Sequence, residues 1–153
     1  PELFLEELEH NDAMREAVRE TAENSVPIYA ECGGLMYLTR SLTLEAGWQG
    51  RDDRISCEMC GVFAGDTCMP VRKALGYVIG TASLPSGDFA FRGHEFHYSG
   101  ISMDAGVHYA YRLSRGTGIQ NGCDGALVHQ TLGAYTHLMP VSSRSMLKSF
   151  FGL

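Results

Sequence analysis

The chain lacks most of the features that would place it quickly. It has no Lys/Arg cluster: 12 basic side chains stand against 18 acidic ones, for a net charge of -6 and a pI near 5.4. Phosphate-backbone binding needs basic patches, so a nucleic-acid partner has no electrostatic basis. No apolar run is long enough to span a bilayer and no signal peptide opens the sequence, so no membrane partner is expected and a cytoplasmic location is the default. Internal repeats and low-complexity segments are absent, and Trp48 is the only tryptophan. The five cysteines are odd in number and irregularly spaced, which argues against a disulfide framework and for reduced thiols. An initiator methionine is missing too. Pro1-Glu2-Leu3 runs straight into helix-like sequence, as expected of a fragment cut from a longer protein.

What is present fits one globular domain over residues 1–153, with 44% hydrophobic and 20% charged residues. Eighteen glycines exceed the usual share of about 7% and point to tight turns and close backbone approaches. Phe4 and Leu8, then Met14, Val18 and Ala22, recur at helical spacing around Asn11-Asp12. The pattern predicts a short helix over 3–9 and a second, capped at Asn11 or Asp12, running to about Asn24. Val26 to Ala30 is a short apolar run of the kind found in buried parallel strands, and Leu35, Leu38 and Leu42 follow at helical spacing. Helix, strand, sharp turn, helix is the order of an α/β sheet. Glu45 to Asp53 reads as a loop. Strands are predicted at 60–64, 74–83, 91–99, 107–112, 126–129 and 133–138, and a closing helix at 142–151.

The stretch that calls for chemistry is "VPIYAECGGLMYL", Val26 to Leu38. A strand followed by G-x-C-x-G or a close variant is the thiol form of the nucleophile elbow, whose strained turn lifts the side chain clear at the carboxyl end of a sheet. Ala30-Glu31-Cys32-Gly33-Gly34 supplies the small neighbours, alanine standing for the first glycine. The helix start beside Cys32 is expected to lower the thiol pKa from about 8.5 toward neutrality. The N–H of Gly33 is placed to stabilise a developing oxyanion. A buried cysteine in a glycine-bearing turn would give the same local pattern, so both readings stay open here.

A thiol acting on an amide needs a proton carrier, usually histidine. Six are available: His10, His94, His97, His108, His129 and His137. His137 ends an apolar strand; if that strand runs parallel to the elbow strand, it shares the edge of the sheet with Cys32. His94 and His97 lie mid-strand in "FRGHEFHYS", where alternation puts Glu95 and His97 on one face and His94, Phe96 and Tyr98 on the other. His137 is the better base.

Rival constellations are thinner. Cys57 and Cys60, with Cys68 eight residues on, look like half a zinc site or a redox pair, but structural zinc needs four ligands and no second pair exists. These cysteines read better as small buried apolar residues. The Glu95/His97 pair could do acid–base work, although mid-strand polar pairs are more often structural or interfacial. Asp124-Gly125 reads as a turn.

Taken in order, "PELFLEEL", "MREAVRETAENSVPIYAECGGLMYL", "ALGYVIGTAS", "FRGHEFHYS" and "GAYTHL" resemble the C-terminal class I glutamine amidotransferase domain of the cobyrinic acid a,c-diamide synthases. "AECGG" is shared with several amidotransferases, whereas "GHEFHYS" is specific. The resemblance covers nearly the whole chain and extends to nickel-sirohydrochlorin a,c-diamide synthase and, less closely, to cobyric acid synthase. It implies a flavodoxin-like α/β domain, truncated at its N-terminus, that hydrolyses glutamine to glutamate and ammonia. Cys32 matches the family's nucleophile and His137 the histidine that raises its reactivity. No cofactor or metal is implied for this chain; ATP and Mg²⁺ are implied for a separate N-terminal synthetase domain, where ammonia would amidate a tetrapyrrole dicarboxylate. A homodimer is left open, as is a non-catalytic domain kept for binding. Many class I amidotransferases carry a carboxylate two residues after the histidine, where this chain has Met139. What orients His137 is therefore not given by the resemblance. The family's glycine-rich loop ahead of the "PEL" segment is absent here, so the fragment alone is expected to be weak or inactive.

Overall fold

The computed structural model describes all 153 residues. Helices α1 (Leu5–Glu9) and α2 (Asp12–Glu23) open the chain, with the Asn11 side chain accepting a hydrogen bond from the Met14 N–H as the cap of α2. They are followed by β1 (Ile28–Glu31), α3 (Gly33–Leu38), β2 (Ser41–Leu44), β3 (Ile55–Glu58), β4 (Gly65–Met69), β5 (Ala74–Leu84), β6 (Gly87–His97) and β7 (Gly100–Met103). The chain continues through β8 (His108–Arg115), β9 (Cys123–Val128), β10 (Thr131–Ala134) and β11 (His137–Leu138) to α4 (Pro140–Phe150). The α/β class and the helix–strand–turn–helix opening expected from the sequence are both present.

Seven strands form one sheet in the order β1-β10-β9-β8-β5-β6-β11, and four form another in the order β3-β2-β4-β7. In the larger sheet β1 and β10 are parallel, Glu31 lying opposite Ala134, and the other pairings are antiparallel. Strand order fixes where the ends of this sheet lie. β10 lies beside one end and β11 forms the other, yet only Tyr135 and Thr136 separate them in sequence. The sheet must curl until its ends nearly meet. Asp124 pins this short step: fully buried, it accepts hydrogen bonds from the Tyr135 N–H (3.0 Å), the Thr136 N–H (2.9 Å) and the Thr136 hydroxyl (2.7 Å).

Two cores support the arrangement. One packs Leu35, Leu38, Leu42, Met59, Phe63 and Tyr135 where the small sheet and first helices meet the large sheet. The other places Val78, Phe91, Tyr111 and Leu132 against Met146 of α4.

Several expectations need correction. Residues 60–64 are not a strand, because their N–H groups are spent on the end of α3: Cys60 donates to Tyr37 O and Phe63 to Leu38 O. Leu42 belongs to β2, not to a helix. The expected strand 133–138 is two strands, β10 and β11, broken at the Asp124 pin, and β11 pairs antiparallel with β6. Asp124 is itself a strand residue rather than a turn. β1 is half-buried at the sheet edge, not fully buried.

Candidate active site

Cys32 stands between β1 and α3 with φ 47° and ψ -104°. Positive φ is strained for a residue with a Cβ, at a cost of about 1–3 kcal/mol. The surroundings enforce it: the Cys32 N–H donates to Ala134 O at 2.8 Å, and its carbonyl accepts from the Met36 N–H at 3.0 Å. The small neighbours matter as the sequence implied. A Cβ added at Gly34 would lie 3.2 Å from the Ala30 Cβ, and one at Gly33 would lie 2.8 Å from Cδ of Pro1. The thiol opens on a cleft of about 670 Å³ lined among others by Pro1, Gly33, Trp48, Phe96 and Tyr98, within the usual range for small-molecule sites. Its Sγ lies 3.9 Å from the Phe96 carbonyl oxygen, across the closing gap of the curled sheet.

The direction of the Cys32 pKa shift is opposite to the lowering expected from the sequence. Burial pushes the Cys32 pKa up, the Gly33 N–H works against this, and the carboxylates of Glu2 and Glu31 reinforce the rise. Helix α3 has only six residues. A thiol in this setting would act as a nucleophile only with a base beside it.

His137 opens β11 opposite His94 of β6. The two rings stack with centroids 4.9 Å apart and planes 13° from parallel. On another side its Nδ1 lies 3.3 Å from Oε2 of Glu31, the residue before Cys32, with both side chains about one-third exposed. The other oxygen, Oε1, accepts from the Leu138 N–H at 2.9 Å and from the Tyr29 hydroxyl at 2.6 Å. The structure thus sets His137 against Glu31, the residue before Cys32, where the two ends of the curled sheet approach. Gly33 and Cys32 line the cleft, while His137 stands outside its lining, beside the elbow.

The other titratable pair is almost fully buried, although His97 also lines the cleft onto which Cys32 opens. Glu95 and His97 share a buried face as alternation required, and His94 and Phe96 face outward. Burial acts to raise the Glu95 pKa, but His97 and the N–H groups of Thr117 (2.5 Å) and Gly118 (3.0 Å) overcome it and bring the carboxyl down to about 2. His97 lies flat on Tyr135, with ring centroids 3.6 Å apart. Cys57 and Cys60 are buried in the core, and burial pushes the Cys57 thiol up to about 11. No three His, Cys, Asp or Glu side chains converge on a point that would hold a metal ion.

Sequence reasoning missed Glu31, Tyr29 and Asp124. The one available signal was a carboxylate at position 31, immediately before the cysteine on an otherwise apolar strand.

Residues 1–145 match the CobB/CobQ-like glutamine amidotransferase domain family. The chain belongs to that family. Its relatives include the cobyrinate a,c-diamide synthases of Methanosarcina barkeri, 40% identical over 97% of this chain, Methanothermobacter thermautotrophicus, 38% over 98%, and Archaeoglobus fulgidus, 36% over 98%. In each case the aligned region is 32% of the relative, so the chain spans about a third of the length of these proteins. A glutamine amidotransferase structure from Thermotoga maritima aligns over 90% of this chain and 52% of its own, at 8% identity and a TM-score of 0.47. No helix of this amidotransferase domain is long and apolar enough to cross a membrane.

Proposed function

We propose that this chain is the glutaminase part of an ATP-dependent tetrapyrrole a,c-diamide synthase, with Cys32 as nucleophile and His137 as its base. The observation that carries this reading is the strained Cys32, open to a cleft and set one residue from the carboxylate that binds His137, in a chain of the glutamine amidotransferase family.

His137 takes the thiol proton as Sγ attacks the side-chain amide carbon of glutamine. The carbonyl oxygen gains charge, and the Gly33 N–H, which already acts on the thiol, is the donor that would stabilise it. The C–N bond breaks, His137 returns the proton to the departing nitrogen, and ammonia leaves a glutamyl thioester on Cys32. Water then adds under His137 as general base, releasing glutamate and restoring the thiol. No external oxidant or reductant enters.

The partners follow from this chemistry: glutamine, a synthetase domain to receive ammonia, and a tetrapyrrole dicarboxylate to be amidated. Cobyrinate is the substrate favoured by the relatives' names. ATP and Mg²⁺ belong to the synthetase domain. Five unpaired thiols suit a reducing compartment, and we place the reaction in the cytoplasm.

The test is Cys32→Ala in the synthase expressed from its complete reading frame. Glutamine-driven amidation should vanish while amidation driven by added ammonia persists. Retained glutamine use would overturn the assignment, and loss of both would indicate damage elsewhere or a merely structural cysteine. Running the wild-type enzyme with cobyrinate and with nickel-sirohydrochlorin names the substrate.

A further inference from the structure

We propose that Glu31 is the positioning carboxylate of His137, so that the residue immediately before the nucleophile, and not one two places after the histidine, completes the proton relay. The proposal rests on the glutaminase reading above.

Position 139, two residues after the histidine, holds a methionine 46% exposed, which offers no charged acceptor. Glu31 fills the gap from another strand. Its Oε2 faces His137 Nδ1 at 3.3 Å, and its Oε1 holds the Leu138 N–H at 2.9 Å, so one carboxylate fixes both the imidazole and the backbone that carries it. The Tyr29 hydroxyl, 2.6 Å from Oε1, fixes the carboxylate in turn. His94 covers a face of the ring. Glu31 from β1 and His94 from β6 contact the ring, and Tyr29 from β1 stands behind Glu31.

An acceptor at Nδ1 selects the tautomer protonated there and leaves the Nε2 lone pair free to receive the thiol proton. The negative charge of Glu31 also stabilises the imidazolium formed in that step. Burial raises the Cys32 thiol pKa, so the attacking sulfur has a proton to give up, and the tautomer of His137 governs that transfer. Placement on β1 has a further effect. Residues 31 and 32 are bonded neighbours, so the elbow and its base are registered by one peptide unit even though His137 is contributed from another strand.

The experiment uses the complete synthase as wild type, Glu31→Gln and Cys32→Ala. The amide of Glu31→Gln keeps the size and one acceptor oxygen but presents an N–H donor, which forces the opposite tautomer. Glutamine hydrolysis by Glu31→Gln should fall by about 100-fold or more in kcat with KM within about threefold. With histidine selectively labelled with ¹⁵N, His137 should be protonated at Nδ1 in the wild type and at Nε2 in the variant. A wild-type His137 protonated at Nε2 overturns the proposal, whether or not the variant folds. Unchanged kcat in Glu31→Gln, alongside a dead Cys32→Ala, also overturns it while sparing the glutaminase reading. Glutamine hydrolysis by Cys32→Ala would remove that reading itself.

Discussion

Glu31 with His137 and Glu95 with His97 are the same chemical pair in two settings. The first is about one-third exposed, sits beside a strained cysteine, and divides its carboxylate among an imidazole, one backbone N–H and the Tyr29 hydroxyl. The second is 2–4% exposed, and its carboxylate takes two backbone N–H groups from the Thr117–Gly118 turn. A carboxylate–imidazole pair left part-exposed beside the elbow can exchange protons with its surroundings. The same pair almost fully buried, with His97 in the wall of the Cys32 cleft and the carboxylate held by two backbone N–H groups, is kept in one state and serves as a staple. Burial and backbone partners, not residue type, separate a relay from a brace.

Reciprocal substitution separates the two pairs most widely. Glu95→Ala leaves two buried N–H groups without their acceptor and removes the charge 3.7 Å from His97, and should cost about 3–5 kcal/mol in denaturant unfolding. Glutamine turnover per folded molecule should be nearly unchanged. Glu31→Ala should cost only about 1–2 kcal/mol, for two part-buried hydrogen bonds, yet remove most turnover. If Glu95→Ala is as stable as wild type, the brace reading is wrong.

Acid distinguishes the pairs again. The Glu95 carboxyl is held down at about 2, below its unfolded value of about 4.3. A depressed carboxylate stabilises the fold above its unfolded pKa, and that contribution is lost as pH falls through the folded one. About 3 kcal/mol should therefore disappear between roughly pH 4.5 and 2. Glu95→Gln should flatten this part of the stability curve, and an unaltered acid limb would count against the pairing.

Much of the site was legible before the fold was known. Small residues at 30, 33 and 34 around Cys32 announced a close-packed corner, and φ 47° at Cys32 with the Ala30–Gly34 approach is its physical content. The long strands β5 and β6 announced themselves through alternation, and the Glu95/His97 face followed from it. The second sheet did not. In β4 the inward positions are Gly65, Thr67 and Met69, whose small or polar side chains mute the alternation that hydropathy would detect. The broken strand before His137 depends on Asp124, whose role is set by contacts across the sheet. Glu31 was invisible for a related reason. Its partner becomes a neighbour only once the sheet curls and its ends meet.

The smallest expected effect concerns the corner. Cys32→Gly relieves a positive φ that a side chain resists, and should raise stability by up to about 1 kcal/mol while abolishing glutamine hydrolysis. Destabilisation would mean that the turn is not strained.

All of the chemistry requires that glutamine acylate the Cys32 sulfur. Acid quenching of the complete synthase during glutamine turnover, followed by peptide mass spectrometry, would trap that adduct. One glutamyl group is expected on the peptide containing Cys32, released by hydroxylamine and absent from Cys32→Ala. A glutamyl group on any other residue, or turnover with none on Cys32 under conditions that slow deacylation, would contradict it.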